Sequence, residues 1–399
     1  MYISFSVLSA LTLLLIFLIF KNKEYKNAYA LYFLFVFIIF YSPALYFISG
    51  GTAYRYFENS TLTHYINFSS VIISLNLFFL FFKNKKFFPV INKKYVEKFS
   101  ENKVNKLTFI YFGVIILTII AYIGIYFMRF PLISLLFNGE LLERPDVSGN
   151  IPHFYTFSTV MLFIVPAIFF YFYPMIKSVY FKILLTGLVF LLLIISGHKG
   201  IITFFAIFFW FTILERKINF KFVGIVVVLL VVYGITKGIN FTDPGTIEYL
   251  ATSPLRRFFV TQGVCMIYRF HALDINYIFE AAVPIKNQIC NFMYNGDGMG
   301  CSSPTFFVGD LIIKYGIVAA TSIYVASLAF SMWIIKNVDE YFSKNYFVKW
   351  SLFSIFFLMG MAELSFESIL RIIAITLNVF IVFALSSYFN KTSLSNDNP

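Results

Sequence analysis

Long apolar runs broken by short basic segments set the pattern of this chain. Runs of mainly apolar residues cover roughly 3 to 20, 28 to 49, 64 to 82, 107 to 128, 154 to 175, 180 to 196, 200 to 214, 222 to 236, 305 to 335, 350 to 364 and 368 to 388. Each approaches the ~20 residues that an α-helix needs to cross a bilayer. The runs are unbroken rather than alternating, which predicts helices and not the strands of a barrel. The expected fold is therefore all-α, a polytopic transmembrane bundle of about eleven spans (ten to twelve), a single membrane domain over 1–399 with a large outer loop at 237–304 carrying short amphipathic helices.

Composition agrees with that reading. Of 399 residues, 60% are hydrophobic and 13% charged, and the mean hydropathy is +0.82, beyond the range of soluble domains. A formal charge of +12 would suggest nucleic acid if it lay on one soluble face. Sorted by loop, it suggests topology instead, and no nucleic acid is expected. The segments 21–27, 83–106, 177–182, 215–221 and 336–349, with Lys391, hold 20 of the 31 Lys and Arg and fall on one side of the alternating spans. Cytoplasmic loops retain such charge, so the amino terminus is expected outside and the carboxyl terminus inside. The 83–106 segment reads as a retention signal touching anionic lipid. No cleavable leader is expected before the first span.

Eleven cations remain on the outer side: Arg55, Arg129, Arg144, Lys199, Lys237, Arg256, Arg257, Arg269, Lys286, Lys314 and Arg371. Lys199 sits in "SGHKGI", squeezed between two apolar runs, where snorkelling to water competes with a functional reading. In "AELSFESILRII", Glu363, Glu367 and Arg371 share one face if the stretch is helical throughout, with Glu367 and Arg371 in the favourable order for a pair. In "PLRRFFVTQGVCMIYRFHALD", Arg256, Arg257, His271 and Asp274 fall on one arc of a helical wheel, interrupted by Val260, Val264 and Ile267, and Arg269 points elsewhere. That segment, 254–275, is expected to lie along the outer membrane surface.

Guanidinium groups suit phosphate because a planar fork donates two parallel hydrogen bonds and keeps its charge. Arginines among aromatics at the outer surface therefore suggest a lipid-linked phosphate or diphosphate. Of two nearby acids, Asp297 in "NGDGMG" reads as turn chemistry, and Asp310, at the start of a span, is the better candidate. The four histidines show no metal-ligand spacing, and no phosphate loop, dinucleotide fingerprint or nucleophile elbow is present. All three cysteines, Cys265, Cys290 and Cys301, lie in the large outer loop; in an oxidising compartment Cys290 and Cys301 would close its glycine-rich turn and leave Cys265 free.

The layout and several short stretches resemble the O-antigen or oligosaccharide repeat-unit polymerases, the Wzy family of membrane glycosyltransferases. "SGHKGI" is similar to that family's small-Gly-x-basic-Gly turn, with Lys199 where Arg is usual. "PLRRFFVTQG" resembles its arginine-led loop helix, "SPTFFVGDLIIKYG" its Pro-Thr, Gly-acidic, Tyr-Gly stretch, and "LFNGELLERPDVSGN" its earlier arginine-bearing outer loop, with Arg144. The resemblance implies a bacterial inner-membrane protein that joins undecaprenyl-pyrophosphate-linked repeat units into O-antigen or a similar surface polysaccharide on the periplasmic face. It implies partners in those lipid-linked oligosaccharides and membrane lipids, with a chain-length regulator left open. No metal, nucleotide sugar or other cofactor is expected. On this reading Arg256, Arg257, Arg269, Lys199, Arg371 and Arg144 bind diphosphate, and the base that takes the acceptor proton is one of Asp310, Glu363, Glu367 or His271. A lipid-linked oligosaccharide flippase and an O-antigen ligase are the rival readings.

Overall fold

The computed structural model describes residues 1–23, 28–51, 55–83, 106–139, 147, 150–195, 205–209, 257–281, 283–294, 303, 305–342, 345–361 and 366–395. The described residues form helices α1 (Tyr2–Lys21), α2 (Ala28–Phe40), α3 (Ser42–Ile48), α4 (Asn59–Lys83), α5 (Lys106–Ile125), α6 (Pro131–Asn138), α7 (Phe154–Thr159) and α8 (Val165–Phe172). They continue with α9 (Val179–Ile195), α10 (Gln262–Asp274), α11 (Ile285–Met293), α12 (Val308–Tyr341), α13 (Tyr346–Met361) and α14 (Phe366–Ser395). The protein is an all-helical membrane protein. Among the described residues six helical stretches are long and apolar enough to cross a bilayer, and three shorter apolar helices accompany them. The expected run at 222 to 236 lies outside the described residues, and that at 200 to 214 is described, as helix, only over 205–209.

These helices are built the opposite way round from those of a soluble domain. On α1 the buried residues are Leu8, Thr12, Leu15 and Ile19, a single face at helical spacing. Leu13, Leu14, Phe17 and Phe20 on the other faces are exposed. A helix apolar all round needs an apolar solvent on its open side, which lipid supplies.

The chain divides into two compact units, Met1–Ile91 with Leu255–Ser343 and Ile355–Ile372, and Asn92–Pro254 with Lys344–Ser354 and Ile373–Pro399. In the second, Phe170, Phe205 and Phe208 surround Trp350 at ring-centroid distances of 5.2 to 5.8 Å. The indole N–H of Trp350 donates to the Phe163 carbonyl at 2.8 Å, inside a π turn spanning Val160–Ile164. A fully buried tryptophan thus has its one donor satisfied.

The first unit contains the sequence expected on the membrane surface. Instead of lying there, α10 packs against α2, α3, α4, α11 and α12. Ten consecutive residues, Gly263 to Ala272, are buried. Phe270 sits against Phe68 at 5.4 Å, and Phe40 meets Phe306 edge-on at 5.4 Å. The reason is steric. A Cβ at Gly263 would strike the Pro43 ring and lie 2.7 Å from the Ile39 carbonyl, so the absent side chain lets α10 press onto the junction of α2 and α3.

That contact predicts that Gly263→Ala destabilises the protein by about 1–3 kcal/mol, since a proline ring and a backbone carbonyl have no room to yield. Gly113→Ala on α5, where a Cβ meets nothing within 4 Å, should be neutral or slightly stabilising. Thermal unfolding of both variants in detergent checks the contrast.

Candidate functional site

Burying α10 buries a full positive charge. Arg269 has no exposed surface, and its guanidinium is matched group by group. Nε donates to Asp310 Oδ1 at 2.9 Å, Nη2 lies 2.8 Å from the same oxygen, and Nη1 donates to the carbonyls of Cys265 at 2.9 Å and Ser303 at 3.2 Å. A guanidinium inside a protein is tolerable only with such pairing.

The stretch "SPTFFVGDLIIKYG" supplies what this pairing requires. Thr305 donates to the Gln262 carbonyl at 2.8 Å, tying the segment before α12 to the start of α10. Gly309 leaves space for the arginine, because a Cβ there would lie 2.7 Å from Arg269 Cδ. Asp310 sits in the first turn of α12, where the helix dipole favours a negative charge. Gly316 takes φ 82°, ψ 169°, a conformation available to glycine and not to side-chain-bearing residues, and so breaks α12 between its short first part and the long apolar remainder.

Past Arg269, the end of α10 meets the segment before α4. Tyr268 accepts the Arg55 N–H at 2.6 Å and donates to the Arg55 carbonyl at 2.8 Å. The Arg55 side chain donates to the Phe292 carbonyl at 3.1 Å and lies 4.3 Å over the Phe292 ring, a cation–π placement. His271 is buried beside Phe57, Tyr268 and Phe292. Its Nδ1 has no hydrogen-bond partner among the described residues. Burial, with help from the Arg55 charge, lowers the His271 pKa below the usual 6.5, against the opposing pull of Asp274 and Glu58. Neutral imidazole is the favoured form.

Asp274 closes α10. Its Oδ2 accepts from Thr61 at 2.6 Å and its Oδ1 lies 3.0 Å from His64 Nδ1. Thr61 and His64 stand three apart on α4, hence on one face. The His64 side chain is 57% exposed, unlike His271.

Of the residues singled out in the sequence, Arg269, Asp310 and His271 are thus gathered around α10. Arg371 is half-buried on α14. Glu367 is on α14 and Arg257 begins a π turn spanning Arg257–Thr261, but neither side chain is described. Arg144, Lys199, Arg256 and Glu363 lie outside the described residues, so the shared face expected for Glu363, Glu367 and Arg371 is described only from Phe366 onward. Cys290 is disulfide-bonded; its expected partner, Cys301, lies outside the described residues. Cys265 is a free, buried thiol, its pKa pushed up to about 11 by burial.

Sequence reasoning missed His64 and the structural part played by Arg55. His64 and Asp274 are 210 residues apart, so no local spacing signals their pairing. Comparison with protein-family models, curated proteins and solved structures returns no match.

Asp310→Ala is expected to cost about 3 kcal/mol or more, because it strands a buried guanidinium. Removing both charges in Arg269→Met/Asp310→Ala should recover much of that loss, and a double-mutant cycle of unfolding free energies measures the coupling. For His271, the unfolded chain takes up a proton more readily than the folded one. The stability it contributes is therefore complete above pH 6.5 and lost as pH falls below it. The thermal midpoint should drop from about pH 7 to about pH 5, and His271→Phe should flatten that drop.

Proposed function

We propose that this chain is an oligosaccharide repeat-unit polymerase of the bacterial inner membrane, transferring a glycan from its undecaprenyl-pyrophosphate carrier onto the terminal sugar of an incoming lipid-linked unit. The observation that carries the reading is the cluster of ionisable groups around α10, a helix packed against α2, α3, α4, α11 and α12. Arg269 and Asp310 meet within it, and Arg55, His64, His271 and Asp274 gather at the adjoining end of α10. Ionisable groups in membrane helices and their connections are costly, and a substrate path is their usual justification.

The division of labour follows from burial. Arg269, with its donors directed at Asp310 and two carbonyls, acts as a positioning residue that fixes α10. Arg256 and Arg257, just before that helix in sequence, are the diphosphate-binding candidates, with Lys199, Arg144 and Arg371 as further cations. Diphosphate is a good leaving group, so catalysis asks chiefly for fixed positive charge where negative charge develops. Exposed Tyr56 and Tyr294, each within two residues of the Arg55–Phe292 contact, offer flat surfaces for sugar rings.

The test is reconstitution. Purified protein in liposomes with an undecaprenyl-pyrophosphate-linked repeat unit should yield a ladder of products, and Arg256→Ala or Arg257→Ala should slow its growth by about 10²-fold with normal insertion. Movement of the substrate across the bilayer without a ladder would favour the flippase. Transfer of the glycan only to a lipid A–core acceptor would favour the ligase.

A further inference from the structure

We infer that His64, held by Asp274, is the general base that takes the proton from the acceptor hydroxyl. This inference rests on the transfer reading above. A base for a sugar hydroxyl must be reachable by a bulky glycan and must direct a lone pair outward. Asp310 suits the role less well than an exposed group, since its Oδ1 is held by two guanidinium nitrogens and its side chain is only 18% exposed. His271 fails the first, being buried among rings.

His64 meets both. Asp274 ionised only accepts hydrogen bonds, so the 3.0 Å contact places a proton on His64 Nδ1 and leaves the lone pair on Nε2. Thr61 donates to the other carboxylate oxygen at 2.6 Å, which fixes the carboxylate and therefore the ring. This is the arrangement by which a carboxylate orients a catalytic imidazole and stabilises its protonated form. Among the described residues, Asp274 pairs with His64, and Asp274, Arg55 and Glu58 are the charged groups that act on neighbouring His271.

In the step itself, the acceptor O–H gives its proton to His64 Nε2 while its oxygen bonds to the anomeric carbon of the donor glycan. The bond from that carbon to the diphosphate oxygen breaks, and its electron pair leaves with undecaprenyl pyrophosphate. The imidazolium, facing Asp274, then returns its proton to solvent. No co-reactant is consumed.

The experiment measures initial ladder growth in liposomes for the wild type, His64→Ala, His64→Gln and Asp274→Asn across a range of pH, with and without added imidazole. An exposed pair adds little to folding, so the variants should insert and melt as the wild type does. His64→Ala should lose about 10²-fold or more in rate, lose the acid limb of the pH profile, and regain activity with imidazole; His64→Gln should stay slow. Asp274→Asn should be slowed because an amide no longer enforces the Nδ1–H form. A wild-type ladder that His64→Ala preserves, or a loss that imidazole leaves untouched with the shape of the pH profile unchanged, overturns the role of His64 alone. Absence of any wild-type ladder overturns the transfer reading and this role with it.

Discussion

The burial of Arg269 constrains everything around it. A guanidinium with no exposed surface must be surrounded by acceptors, and those acceptors come from three places in the chain: the Cys265 carbonyl one turn back, the Ser303 carbonyl, and the carboxylate of Asp310. Ser303 in turn donates to the Lys286 carbonyl next to the start of α11, and Thr305 to the Gln262 carbonyl. One charge thereby ties α10, the start of α11 and the entry to α12 together. Replacing such a pair with apolar residues is often no less stable, so the ion pair is better understood as fixing one arrangement of these elements than as adding stability.

Much of the architecture was legible because lipid is a demanding solvent. The runs expected at 3 to 20, 107 to 128 and 180 to 196 correspond to Tyr2–Lys21, Lys106–Ile125 and Val179–Ile195. Where the pattern misled, the cause was local. The run at 28 to 49 is two helices, divided at Tyr41 with Pro43 near the start of the second, since a proline is accommodated in the first turn and not in a helix interior. Helix α12 runs on to Tyr341, well into the segment read as a basic loop, because Lys336, Asp339 and Glu340 are good enough helix residues once the turn before them is formed.

The candidate site was legible in part. Asp310 stood out as an acid at the start of a span, and the glycine beside it now has a steric reason. The environment of α10 was misjudged because its charges were assumed to seek water. Its partner carboxylate lies 41 residues away, and no wheel drawn on one helix can show it. His64 was harder still, since its importance lies entirely in a contact between the second turn of α4 and the last residue of α10. The proposed transfer uses both features: a fixed interior charge that sets the helix, and at its end a neutral His271, an exposed imidazole and an arginine held over an aromatic ring.

The most direct measurement is thiol labelling in intact cells with a membrane-impermeant reagent. Tyr56→Cys and Ile278→Cys replace side chains that are 81% and 88% exposed, and both should react from outside, while native Cys265, one turn from Arg269, should stay protected until the protein is unfolded. Rapid modification of Cys265 in the folded protein would contradict an interior α10, and reaction of the two exposed positions only after the membrane is permeabilised would contradict the proposed transfer on the outer face.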